Sequence, residues 1–188
     1  MKNIIRAIGA ALAVVALSAC ASGARPDQLI APVTDENAFA QDHQLKNNLT
    51  VDQVKGGSET NPLWMSNVSD SQFQAGLEQS LKNAGLLAES SSKAGFVVAA
   101  NLEDLKRPMA GIDMNVTVSV RYTVTPTAGG APIFDEVVTT TGTGTFSDAF
   151  VGVERLRIAN EAAVRTNIGE FLRRLKDEVP ANATLAIS

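Results

Sequence analysis

The chain has 188 residues, 45% of them hydrophobic and 19% charged, with a formal net charge of −4. That balance belongs to a folded chain rather than a disordered one, and its mild acidity speaks against a nucleic-acid partner and against electrostatic attraction of the body to anionic lipid. With one cysteine and one histidine, the chain has neither a disulfide framework nor the paired ligands of a His/Cys metal site.

The N-terminal segment is organised like an export signal. Lys2 and Arg6 make it positive, residues 8–17 form an apolar run of mostly Ala, Val and Leu, and Ser18 and Ala19 are small. The run is shorter than the ~20 residues a membrane span needs. Leu17-Ser18-Ala19-Cys20 closes it and resembles the lipobox of bacterial lipoproteins. The resemblance implies that the sulfur of Cys20 receives a diacylglyceryl group, that the chain is cut before Cys20, and that the new amino group is acylated. Two or more acyl chains give stable anchoring where a single one is marginal. Ala21 and Ser22 follow the cysteine, with no Asp, so the resemblance favours the outer membrane, with the domain facing the periplasm. Removing residues 1–19 from 188 leaves 169, enough for one domain, and takes the charge to about −6.

Residues 20–46 read as a lipidated N-terminus and flexible tether. They hold Gly23, Pro26, Pro32 and scattered Asp and Gln with no apolar period, although residues 39–45 can already pack on the domain. The domain is expected over residues 47–180, with a loose tail over 181–188. Its first strand falls in residues 45–55, where Leu49 and Val51 alternate with polar neighbours. Val54 is out of phase, so a bulge or strand end lies near Gln53.

The first helix starts at an N-cap, Ser69, with Gln72 completing a capping box and Val68 facing Phe73 as a staple. Phe73, Leu77, Leu81 and Ala84 form its apolar stripe, and Gly85 suits a left-handed C-cap. A second strand over 95–105 is apolar on both faces, as an inner strand is. In the third, Met114, Val116, Val118, Val120, Tyr122 and Val124 alternate strictly with polar residues, predicting one buried and one wet face.

A hairpin loop over 126–132 leads to a fourth strand over 133–146. Its Thr- and Gly-rich second half is β-forming but poor in core residues, so it is expected to pass beyond the core or lie at an edge. The last helix begins between residues 148 and 153 and runs to about 179. Its stripe is Leu156, Ala163, Ile168, Phe171 and Leu175, with Arg155, Arg157, Arg165, Arg173 and Lys176 on the polar side and Pro180 as the stop.

The order strand, helix, three strands, helix predicts a single α+β domain, a four-stranded and mainly antiparallel sheet with both helices on one face. This order, with the lipobox, is similar to that of several small envelope lipoproteins of Gram-negative bacteria. Among them are the lipopolysaccharide-assembly lipoprotein seated inside its outer-membrane partner and the auxiliary lipoproteins of lipid-transporting ABC systems. The resemblance covers the lipobox and the elements over roughly residues 47–178 and brings no residue motif with it. The run 146–155 also resembles a segment of uncharacterised lipoproteins of this type.

Residues that carry chemistry are scarce. The sequence has no nucleophile elbow, phosphate loop or His-Glu-x-x-His motif. His43, in the tether, is expected to be a solvated surface residue, and Gly142-Thr143-Gly144 reads as strand or turn backbone. Neighbouring carboxylates at Glu103-Asp104 and Asp135-Glu136 point to opposite faces of a strand and make no acid/base dyad. Asn48-Leu49-Thr50 and Asn67-Val68-Ser69 are chance matches to a glycosylation sequon.

Candidate contact residues remain. Trp64 and Met65 precede the first helix, where they form either a lid over the core or a binding surface. Phe146, Phe150 and Val151 lie in an apolar connection that is either a contact patch or a core plug. The expectation is a non-enzymatic outer-membrane lipoprotein that binds or helps to assemble an envelope protein or glycolipid partner, with no cofactor, metal or nucleic acid. The alternative is a carrier or sensor of a small apolar ligand held between helices and sheet.

Overall fold

The alternation in residues 114–126 builds the middle of the sheet. In a computed structural model, which describes residues 22–60, 66–108 and 111–181, strand β3 (Met114–Pro126) buries Val116, Val118, Val120, Tyr122 and Val124 and turns Asn115 and Arg121 outward. Strands β2 (Phe96–Lys106) and β4 (Phe134–Gly144) flank it antiparallel, and β1 (Leu49–Val51) lies parallel to β2, giving the order β1-β2-β3-β4. The expected α+β element order holds. The one parallel pair arises because helix α1 (Asp70–Asn83) carries the chain back along the sheet between β1 and β2.

The first strand is shorter than expected. It stops at Val51, although Lys55 still bridges to Asn101 and Val54 is buried.

Helix α1 starts as its sequence dictates. Ser69 Oγ accepts from the Gln72 N–H, and Gln72 Oε1 accepts from the Ser69 N–H at 2.9 Å. Gly85, at φ +68°, then turns the chain out. Helix α2 (Gly152–Glu178) lies across β3 and β4. The Phe171 ring stacks on Tyr122 at 4.1 Å. Asn167 accepts from the Tyr122 hydroxyl at 2.9 Å and donates to the Val138 carbonyl at 2.8 Å, so this buried polar group is satisfied.

Three expectations are corrected. First, the Thr-rich half of β4 does not run past the core. It is an edge strand, but its inward face is Gly142, Gly144 and Val138, and helix α2 packs directly on the glycine backbone. A Cβ on Gly142 would stand 2.2 Å from the Ala163 nitrogen, and one on Gly144 2.1 Å from the Arg155 carbonyl oxygen.

Second, residues 24–46 are no free tether. They run along α2 and over α1 as a strap with a short 3-10 turn (Pro26–Leu29), and Ala24, Leu29, Ala31, Phe39 and Leu45 are all buried. Leu29 sits on Gly76 of α1, where a Cβ would be 2.6 Å from its own. The Ala31 N–H donates to Ser80 Oγ at 2.9 Å, and Arg165 donates to the Gln28 carbonyl at 2.7 Å. His43, far from being solvated, is buried at the strap's end. Its Nε2 is 2.8 Å from the Val179 carbonyl oxygen, its Nδ1 accepts from the Leu45 N–H, and its ring meets Phe39 edge-on at 4.9 Å.

Third, Arg155 and Arg157 are buried rather than solvated: two loops offer carbonyls to Arg155, and Arg157 pairs with Glu154 and with Glu161, which it shares with Arg25 of the strap.

Both helices begin at the same end of the sheet, where β2 finishes, β3 starts and β4 finishes. The β3–β4 hairpin and the end of α2 occupy the other. Among the described residues, no helix is long and apolar enough to cross a membrane.

Candidate functional site

Among the described residues, four of the six exposed large apolar side chains gather where the helices begin, with Val33 and Val137 elsewhere. Phe150 is 82% exposed, Ile112 76%, Phe146 48% and Val151 42%. Clustered exposed apolar groups of this kind mark contact surfaces.

Local chemistry shapes the cluster. The Asp148 carboxylate accepts from the Thr145 N–H at 2.8 Å and from the Thr145 hydroxyl at 2.7 Å, which folds residues 145–148 into a tight turn. Those bonds, the backbone one first, hold the Asp148 carboxyl below the usual range. The Phe146 N–H donates to Asp113 Oδ1 at 3.1 Å, tying this loop to the β2–β3 connection.

Beneath the loop, Arg155 donates to the carbonyls of Ala149 and Phe150 at 3.0 and 2.9 Å and reaches the Gly111 carbonyl at 3.4 Å. Its guanidinium carbon lies 5.4 Å from the centre of the Phe146 ring, and that ring lies 5.2 Å from Phe150. The positive charge is thus spent inward, and the aromatic faces look out. Ile112 stands between Gly111 and Asp113, both of which touch this assembly.

Phe146, Phe150 and Val151 are therefore exposed and do not plug the core. Trp64 and Met65, Cys20 and the signal segment, and residues 182–188 lie outside the described residues. Ile112 went unnoticed in the sequence because it is a lone aliphatic between Gly111 and Asp113 in a loop. The two arginines were missed as braces because an arginine at helical spacing normally means a solvated face.

Several of the remaining charged side chains pair with one another. Arg25 clamps the start of the strap to α2. Its backbone N–H donates to Glu161 Oε1 at 2.9 Å and its guanidinium holds both oxygens of Glu161. Arg157 links Glu161, at 2.7 Å, to Glu154. Asp135 pairs with Arg121 at 2.9 Å on the open sheet face, and Glu136 pairs with Arg174 at 3.0 Å on the helix side, so the neighbours point apart as strand geometry requires. Glu103 and Asp104 are both exposed, at a register shift in β2. Among the described residues, no three His, Cys, Asp or Glu side chains are placed to hold a metal ion.

Near the end of α2, Glu170 accepts from Arg173 and Arg174 at 2.8 Å. The Arg173 hydrogen bond is the main cause that lowers its carboxyl from 4.5 to about 2. A carboxyl depressed on folding adds stability above its unfolded value, and that stability is lost as pH falls from about 4.5 towards 2. The urea midpoint is expected to fall across that window. It should fall less in Glu170→Gln, with the two proteins converging near the acid end.

The space between helices and sheet is filled by Phe73, Leu77, Tyr122, Ile168, Phe171 and Leu172, all without exposed surface. The concavities are at the surface. One of about 290 Å³ lies between the strap and α2, lined by Pro32, Asn37, Arg165, Glu170 and Arg173. Another of about 210 Å³ lies by Asp52, Asn101 and Arg121. Both open to solvent, unlike the pockets that enclose most of a small ligand's surface.

No family model matches the sequence, and no curated protein matches it. Solved structures are similar in fold. A Xanthomonas campestris protein of the DUF330 family superimposes with a TM-score of 0.59 at 11% identity, over 84% of this chain and 96% of that one. A protein from Chlamydia trachomatis gives 0.53 at 16%, over 73% and 99%. PelC of Paraburkholderia phytofirmans, a dodecamer, gives 0.50 at 16%, over 71% and 91%. At such identities the likeness shows the fold alone: this chain carries the same strand and helix framework as three bacterial proteins, and its site must be argued from its own residues.

Proposed function

We propose that this chain is a lipoprotein of the Gram-negative outer membrane, held by lipid on Cys20 with its body facing the periplasm. The body is non-catalytic and binds or helps to assemble an envelope partner, a protein complex or a glycolipid transport or assembly system. One observation carries the binding role. Among the described residues, the exposed aromatic side chains, Phe146 and Phe150, stand together at one end on a loop braced by Arg155. A small apolar ligand between helices and sheet finds no support in the packing, since that layer is filled.

Affinity capture of the full chain from detergent-solubilised envelope tests the reading. A protein or glycolipid is expected well above a tag-only control. Recovery of neither would overturn it.

A further inference from the structure

We propose that the aromatic end of the body, Phe146, Phe150, Val151 and Ile112, rests on the lipid surface of the membrane that holds Cys20. The body then stands on the end where both helices begin. This rests on the reading of Cys20 as lipidated and names the surface that the patch meets.

Chain length limits how far the anchor can lie from the body. The chain from Gly23 onward is fixed. A Cβ on Gly23 would stand 2.6 Å from the Gln72 side chain, in the first turn of α1. The Ala24 N–H donates to the Asn67 carbonyl at 3.1 Å, and Arg25 is clamped to Glu161. Five residues from Cys20 to Arg25 span at most ~17 Å when extended. Glu161 lies only about 14 Å along the axis of α2 from Gly152, where the patch begins, at 1.5 Å per residue. A lipid on Cys20 therefore holds the patch end close to the bilayer. The strap runs away from it towards His43 and Val179, and the hairpin of Gly129 and Gly130 is at the far end.

The chemistry agrees. Side chains that cover a headgroup boundary are apolar and aromatic. The carboxylates of Asp113, Asp148 and Glu154 border the patch, and the buried Arg155 is turned to loop carbonyls and the Phe146 ring. At the same end Lys106, exposed, pairs with Asp104 at 3.4 Å, and Arg107 turns to Ser66 and Asn67, so little free positive charge is left for anionic lipid. The surface that fits is a zwitterionic one, and anionic lipid should weaken the contact.

The test uses the lipidated full chain in vesicles of phosphatidylethanolamine and phosphatidylcholine. Lipidation consumes the one native thiol, so Ile112→Cys, Phe150→Cys and, at the far end, Ala131→Cys each carry a single nitroxide label. Labels at 112 and 150 should collide more with oxygen and less with a water-soluble nickel chelate than the label at 131, and lie within about 5–10 Å of the headgroup boundary. Adding Phe150→Asp to Ile112→Cys should return that label towards water, and Phe150 is exposed enough to be changed without touching the core.

Equal accessibility at 112, 150 and 131 would overturn the proposal while leaving the anchored reading intact. So would shielding with label–label broadening that grows with protein concentration, which means a second copy covers the patch. Labelling of the unsubstituted chain at Cys20 would instead remove the anchored reading itself, and this proposal with it.

Discussion

Replacing Gly142 by valine is expected to destabilise the domain by about 3 kcal/mol, at the upper end of overpacking costs, because neither wall of the contact can yield. Gly142 is paired with Val116 in the ladder, and helix α2 crosses directly above it. Its added Cβ would meet the Ala163 nitrogen at 2.2 Å, the Ala159 carbonyl oxygen at 2.4 Å and the Ala162 carbonyl carbon at 2.8 Å. All three are backbone atoms, so a rotamer change gives no relief. Either the helix lifts, opening the Tyr122–Phe171 stack, or β4 leaves the sheet. The adjacent Thr141 is the control. It is exposed on the open face, where its hydroxyl meets Thr117 at 2.9 Å, and Thr141→Val should change stability by no more than about 0.5 kcal/mol. Urea midpoints of the two variants, measured side by side, check the contrast. Equal shifts would contradict the close approach of α2 to β4.

Glu161→Ala should cost about 3 kcal/mol, the lower end of what breaking a buried ion pair costs, since Arg157 keeps Glu154 as a partner. Glu161 is buried and accepts the Arg25 N–H, the Arg25 guanidinium and Arg157. Its loss leaves the Arg157 cation half-matched in a buried site and unties the start of the strap. Glu161→Gln retains an acceptor for the Arg25 N–H and should cost clearly less. Proteolysis near Arg25 reads the second effect. Cleavage there should quicken in Glu161→Ala while α1 and the sheet remain protected, and an unchanged cleavage rate would contradict the clamp.

Legibility in the sequence followed regularity. The capping box at Ser69 and the eleven-residue alternation from Met114 each repeat a local geometry, so residue spacing alone placed α1 and β3. The strap follows no period, because it is neither helix nor strand. Leu29, Ala31, Phe39 and Leu45 are buried one by one in a groove that exists only after α1 and α2 have packed. His43, Arg155 and Arg157 share that cause: His43 meets the Val179 carbonyl, Arg155 meets loop carbonyls, and Arg157 shares Glu161 with Arg25 of the strap.

Gly142 and Gly144 are a signal that period-two spacing alone does not decode. Two glycines at period two within a strand looked like a weak core face, whereas they mark the line where a helix backbone comes closest. For the patch, Phe146, Phe150 and Val151 were visible as residues, but their exposure was not. It depends on the Thr145–Asp148 turn and on Arg155 holding the loop outward.

The central claim is that this body works at a membrane through lipid on Cys20. The most direct measurement is the intact mass of the chain recovered from the cell envelope, with sequencing of its N-terminal peptide. The expected species lacks residues 1–19 and carries diacylglyceryl and N-acyl groups on Cys20. A chain that keeps residues 1–19, or one that begins elsewhere and bears an unmodified Cys20 thiol, would contradict it.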